Sequence, residues 1–260
     1  MNPVRIYAIM TRHYFLATHQ LERFFDVFFF PVFALVLWGF LSQYVQGIQG
    51  STLASFLLGG IILWVIFERV GTDLGISFMF DIWERNLINV LSTPITFLEY
   101  LSGLITISLI KVFISFLAMW MVASFFYGFS VTSLGLGLAL FGMNLILFAT
   151  AFGIFNITMV LRFGHSVGPL TWILPFLIQP FSAVFYPVSV LPEVFQRIAY
   201  FLPLSHTFEG MRYTLNTGQF HWNEFTTAFL FNIIYLTLSI ALFASVLNKV
   251  RRSGKLVKIV

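Results

Sequence analysis

The chain has no cysteine, which excludes disulfides and thiolate metal sites. Charge is nearly as scarce. Only 9% of residues are Asp, Glu, Lys or Arg, where a soluble domain carries roughly 25%, so the chain cannot cover a water-facing surface. No G-x-x-x-x-G-K-[ST] occurs. The Gly254-Lys255 pair lacks the preceding glycine, so a P-loop for ATP is excluded. There is no HExxH and no Ser-His-Asp order, which leaves an intramembrane hydrolase without a catalytic set. His206-x-x-Glu209 offers two metal ligands on one helical face, but two without a third do not make a site. Glu209 can instead pair with Arg212 three residues on, and no metal or catalytic residue is expected. There is no internal repeat and no matching pair of interrupted spans, which argues against an inverted-repeat secondary transporter.

What remains is overwhelmingly apolar: 59% hydrophobic residues, 34 of them Phe, and a mean hydropathy of +0.92. An all-α integral membrane protein follows, forming a single transmembrane domain over residues 1–260. Residues 3–23 mix Tyr7, Met10 and Tyr14 with Arg5, Arg12 and His19, as suits an interfacial helix. Six runs of about 20 residues or more can then cross a bilayer. They lie at about 24–44, 53–72, 97–126, 134–161, 167–187 and 225–247, and each is read as a helix because unpaired backbone is not viable in lipid. Placing both termini in the cytoplasm puts eleven Lys and Arg inside, against Arg197 and Arg212 outside and Lys111 within a span.

Between the second and third runs lies DIWERNLINVLSTP, Asp81–Pro94. On a helix over 81–92, Trp83, Leu87, Val90 and Leu91 share one face, with Asp81, Arg85 and Asn89 on another, and Pro94 ends it. The first face would hold the helix to the spans and the second would face a soluble partner, with Glu84 at the boundary. An ordinary helical loop is the competing reading. In the spans, Glu68, Arg69 and Lys111 are costly charges. Lys111 sits about fourteen residues into its run, or roughly 21 Å, and a Glu68–Lys111 ion pair is expected to settle it. An ion relay would need more acidic groups. The outer stretch 188–224 carries two short apolar helices bounded by Pro192 and Pro203, expected to re-enter the outer leaflet. The basic tail from Lys249 suits anionic headgroups, and nucleic-acid binding is not expected.

Taken together, the topology and two local patterns resemble the type-2 family of ABC exporter membrane subunits, which export drugs, lipids and polysaccharides. One pattern is Trp83-Glu84-Arg85 through Leu91 to Pro94, similar to that family's coupling-helix run. The other is Phe185-Tyr186-Pro187, Leu191-Pro192, Leu202-Pro203-Leu204-Ser205-His206 and Gly210-Met211-Arg212, similar to its stretch before the last span. The resemblance implies a permease without its own ATPase site, in the inner membrane of a prokaryote. Its partners would be two copies of a separate P-loop ATPase, which bind the ATP and Mg, and a second permease copy, as a homodimer. Asp81, Trp83, Glu84, Arg85, Asn89 and Pro94 would form the coupling contact, and Pro187, Pro192, Pro203, Glu209 and Arg212 the outer re-entrant loop. Polysaccharide-exporting members often carry L-G-x-x-W-x-x-L-x-P entering the first span. FFDVFFFPVFALVLWGF lacks it, which favours a hydrophobic or amphipathic substrate such as a drug, lipid or lipid-linked compound. A polysaccharide or lipopolysaccharide exporter, and then an ion-coupled transporter, are the alternatives.

Overall fold

The computed structural model describes residues 1–19, 21–49, 51–129 and 135–252, and among these it contains helices and no strand. Ten α-helices follow in order: α1 (Pro3–His19), α2 (Leu21–Gln49), α3 (Ser51–Trp83), α4 (Leu87–Ser92), α5 (Phe97–Tyr127), α6 (Leu136–Phe163), α7 (Leu170–Ile178), α8 (Glu193–Tyr200), α9 (Pro203–Thr217) and α10 (Trp222–Arg252). Short 3₁₀ turns occupy Gly164–Val167, Gln179–Phe181 and Val188–Val190. The expected basic tail beyond Arg252 lies outside the described residues.

Among the described residues, five helices are long and apolar enough to cross a membrane: Phe25–Gly47 in α2, Ser55–Trp83 in α3, and α5, α6 and α10. The run at 167–187 is not the single helix expected. It becomes a nine-residue α7 followed by a 3₁₀ turn, an apolar helical stretch of Leu170–Phe181. Pro169 precedes this helix, Pro175 sits inside it and Pro180 lies in the turn. Proline removes a backbone donor and crowds the preceding turn, so three in twelve residues cannot hold one long helix.

α3 is the central element. Of its most apolar stretch 83% is buried, against 28% in α2 and 22% in α10. Two apolar clusters stack along it. One joins Trp64 and Phe67 of α3 to Phe141 and Phe148 of α6 and to Phe208 and Met211 of α9. The other gathers Phe78 and Ile82 of α3, Leu87 and Val90 of α4, Phe97 and Tyr100 of α5, Ile157 of α6 and Phe243 of α10. The second lies at the end of the bundle that holds Lys249, Arg251 and Arg252, here called the basic end.

Helix ends follow local chemistry. Thr96 caps α5 by accepting from the Glu99 N–H, and the Glu99 carboxylate accepts from the Thr96 N–H in return, a reciprocal capping box. Gly128 closes α5 in the left-handed region at φ 60°. α1 lies along the start of α5, with Ile9 over Gly103. A Cβ on Gly103 would come within 2.7 Å of that side chain, so only glycine admits this approach.

Candidate functional site

The site is the corner where α3 ends and α4 begins. The Asn86 N–H donates to the Asp81 carbonyl at 2.9 Å and the Arg85 N–H to the Ile82 carbonyl at 3.0 Å. These two bonds, with Arg85 at φ 53°, are the Schellman arrangement that satisfies the last carbonyls of a helix. Glycine is the usual occupant of the left-handed position; here it is arginine.

The expected single helix over 81–92 is therefore two elements. Asp81 and Trp83 belong to the last turn of α3, a tight bend follows, and α4 covers only Leu87–Ser92. A carboxylate within the second apolar cluster cannot face a partner, and Asp81 is 1% exposed. Arg12 NH1 donates to Asp81 Oδ2 at 3.1 Å, Arg12 NH2 donates to Asp81 Oδ1, and the Tyr100 hydroxyl also donates to Oδ2. With the Asn86 side-chain oxygen turned toward α1, the same guanidinium donates to it from Nε at 3.1 Å. Arg12 thus ties α1 to both ends of the Schellman turn, Asp81 and Asn86. Charge-assisted two-point contacts of this kind fix geometry as well as energy.

His13 packs beside this clamp at 1% exposure, with Nε2 4.0 Å from Asp81. Burial pulls its pKa down to about 4, so near neutral pH the imidazole is uncharged. At the head of α1, the Asn2 N–H and Arg5 NH1 both donate to Glu99 of the capping box, at 2.7 and 3.4 Å.

α4 turns Leu87, which is fully buried, and Val90 into the cluster, while Ile88, Asn89 and Ser92 are exposed. Arg85 and Asn89 lie on the exposed side, together with Glu84 and Pro94. Trp83 packs edge-on against Phe80 of α3, with ring centroids 5.5 Å apart, rather than lying on one helical face with Leu87 and Val90. It belongs to the last turn of α3, before the bend, and is 39% exposed. The Leu91 side chain lies outside those described.

The charges in the spans pair differently from expectation. Lys111 Nζ donates to Asp73 Oδ1 at 2.8 Å, not to Glu68, and Arg69 NH1 donates to Asp26. Asp73, one turn of α3 beyond Arg69, is the carboxylate within reach of Lys111 on α5. α2, α3 and α5 are thereby bridged in one layer. Asn144 of α6 and Asn232 of α10 form a second polar bridge, at 3.0 Å between side chains.

At the far end of the bundle, Glu209 and Arg212 pair at 2.7 Å across one turn of α9. Glu209 also accepts from the Val188 N–H at 2.7 Å, and Arg212 NH2 donates to the Ala183 carbonyl at 2.9 Å. They fasten the irregular segment after α7, including Pro187. Pro192 and Pro203 set the starts of α8 and α9. His206 points one ring nitrogen at Glu224 (2.6 Å) and the other at the Tyr200 carbonyl (2.7 Å). Burial lowers its pKa, but these two acceptors outweigh it and the net shift is upward. Among the described residues no three His, Asp or Glu converge as metal ligands.

Sequence reasoning missed Arg12, Asp26, Asp73, Glu99 and Tyr100. Asp73 had a signal, lying four residues after Arg69 at the edge of an apolar run. The partners of Arg12 on other helices and the corner, Asp81 and Asn86, are 69 residues or more away and had none. A family model described as ABC-2 type transporter matches residues 6–216, well over half of the chain. No curated protein matches it at a significant level.

Proposed function

The chain belongs to the ABC-2 type transporter family, and from that premise we propose that it is the membrane permease of an ATP-driven exporter moving a hydrophobic or amphipathic substrate out of the cytoplasm. It is a multi-pass membrane subunit of an ABC transporter, and members of this family work with an ATPase subunit. In the proposed assembly two permease copies meet two copies of a separate P-loop ATPase, which carry the ATP and Mg. Both termini face the cytoplasm of a prokaryotic inner membrane, and α7 with the segment after it completes a sixth, broken crossing. Irregular backbone is tolerated at membrane depth where protein covers it.

The observation that carries this reading is the α3–α4 corner. Its buried side is continuous with the cluster joining α3, α5, α6 and α10, while Glu84, Arg85, Ile88, Asn89 and Pro94 form its exposed side. A groove on a soluble ATPase could grip that exposed side, and a push there would reach four long helices at once. The pairing of Lys111 with Asp73 gives both charges a structural role and favours this reading over an ion relay.

The test is co-purification of the chain with the ATPase encoded beside it, followed by vanadate-sensitive ATP hydrolysis and substrate efflux in sealed vesicles. Glu84→Ala with Arg85→Ala should leave the complex folded and abolish ATP-dependent efflux. Full efflux by the double variant would refute the coupling role.

A further inference from the structure

A groove of about 380 Å³ lies between α7 and α10, with α6 as its floor. Phe148, Phe152 and Phe155 make that floor at helical spacing, the first two buried. Tyr235, Leu238 and Leu242 form a matching stripe on α10, and Leu174 and Ile178 of α7 are the opposite wall. Leu238 and Leu242 are 60% and 38% exposed, so the groove opens sideways, toward lipid. Apart from the hydroxyls of Ser239 and Tyr235, its lining side chains are apolar. One end is shut by protein: Leu202 lines it, and the Tyr235 hydroxyl donates to the Phe201 carbonyl at 3.1 Å.

Toward the basic end, each stripe runs into a cation. Arg162 is seven residues past Phe155 and Lys249 seven past Leu242, two turns or about 10 Å in each case. Seven residues return to within about 20° of the same face. α6 and α10 are parallel. Asn144 bonds Asn232 at 3.0 Å, and the rings of Phe148 and Tyr235 lie 5.4 Å apart, partners 88 and 87 positions apart in sequence. Arg162 and Lys249 are 87 positions apart, so the same register sets them level. The helices stay packed there, through Ile157 and Leu161 against Phe243 and Val246. Both cations are exposed, and among the described residues neither is in an ion pair. Of the acidic residues at this end, Asp81 and Glu99 are held by Arg12 and Arg5, and Glu84 belongs to the α3–α4 corner. From Lys249 to Tyr235 is fourteen residues, about 21 Å. Half a bilayer with its headgroup region is about 20–22 Å. The distance from the cations to the closed end is one leaflet.

From this arrangement we infer that the groove holds an anionic phospholipid of the leaflet at the basic end. Its phosphate sits between Arg162 and Lys249, and one acyl chain lies along α6 and α10 as far as Leu202. Lys and Arg at a membrane surface attract any anionic headgroup. Here the groove adds a place for one chain, and that fixes where the lipid stays. A zwitterionic phospholipid brings an ammonium that offsets its phosphate, and a free phosphate has nothing to fill the groove. The site does not depend on what the chain transports.

The test is titration of the full chain in detergent with dioleoyl phosphatidylglycerol, bound lipid being counted by native mass spectrometry. One saturable site per chain is expected, at least tenfold tighter than for dioleoyl phosphatidylcholine. Arg162→Ala and Lys249→Ala should each weaken it roughly fivefold. Arg251→Ala, on the opposite face of α10, should leave it unchanged. Ser239→Phe puts a ring into the groove and should abolish the preference for dioleoyl over dihexanoyl phosphatidylglycerol. Unfolding temperatures in lipid-free detergent check that the variants fold. Should Ser239→Phe not fold, the two chain lengths on the parent chain and the exposed-cation variants decide alone. An equal loss from Arg251→Ala would mean diffuse attraction by the basic end and would overturn the site. So would equal binding of both chain lengths by the parent chain, or glycerol phosphate competing as well as the whole lipid.

Discussion

Arg12 and Asp81, 69 residues apart in sequence, share a two-point ion pair that joins α1 to the root of α4. Apart from Arg12, the buried Asp81 carboxylate has the Tyr100 hydroxyl, at the same oxygen, as its hydrogen-bond donor from a side chain. Removing one member of such a pair strands the other charge, at a cost of about 3–5 kcal/mol. Arg12→Ala should lower stability by that order, read from denaturant or thermal unfolding in detergent. Arg12→Met with Asp81→Leu should recover most of the loss, since replacing both charges by apolar groups removes the stranded carboxylate.

Arg85 should trade stability against coupling. A non-glycine residue in the left-handed region costs roughly 1–2 kcal/mol, part of which glycine gives back through its freer unfolded chain. Arg85→Gly should therefore raise stability by up to about 1 kcal/mol while reducing ATP-dependent efflux. A rise in unfolding temperature alongside a fall in transport is the expected pair of readings.

Lys111 and Glu68 should respond very differently. Lys111→Ala leaves the Asp73 carboxylate without its cation at membrane depth and should destabilise by about 3 kcal/mol or more. Glu68→Gln leaves that pair intact and should cost well under half as much. Unfolding in graded detergent mixtures compares the two, and equal losses would contradict the pairing.

The His206 contact should be pH-dependent. Its folded pKa lies above the ordinary imidazole value of about 6.5. The protonated ring is thus favoured in the folded state, and its stabilising effect is complete below pH 6.5. It fades as pH rises through the raised folded value. Unfolding temperature should fall across that window in the parent chain, and Glu224→Gln or His206→Gln should flatten the fall.

The helical class and the apolar runs were legible because composition and run length report burial in lipid directly. Leu87 and Val90 were legible because α4 keeps helical spacing. The break at Glu84–Asn86 was not, since Arg85 is a poor signal for a left-handed turn, and the continuous amphipathic pattern hid it. Asp81 fell on the polar side of that imagined helix, and only the arrival of α1 makes its burial possible. The fifth run announced its breaks through Pro169, Pro175 and Pro180. Its length and apolarity argued for a span all the same, because hydropathy does not register a missing backbone donor. Lys111 pairs with Asp73 rather than Glu68 because helix rotation decides which face meets α5, and neighbours set that rotation.

α3 runs unbroken for 33 residues, about 50 Å, and its ion-paired layer at Asp73 divides it unequally. About 15 Å lies between Asp73 and Trp83, and about 33 Å between Asp73 and Ser51. A rod pivoting at that layer is a lever with a short arm at the corner and a long arm at the opposite end. Small displacements delivered at Trp83 would be roughly doubled, and reversed in direction, where α3 starts.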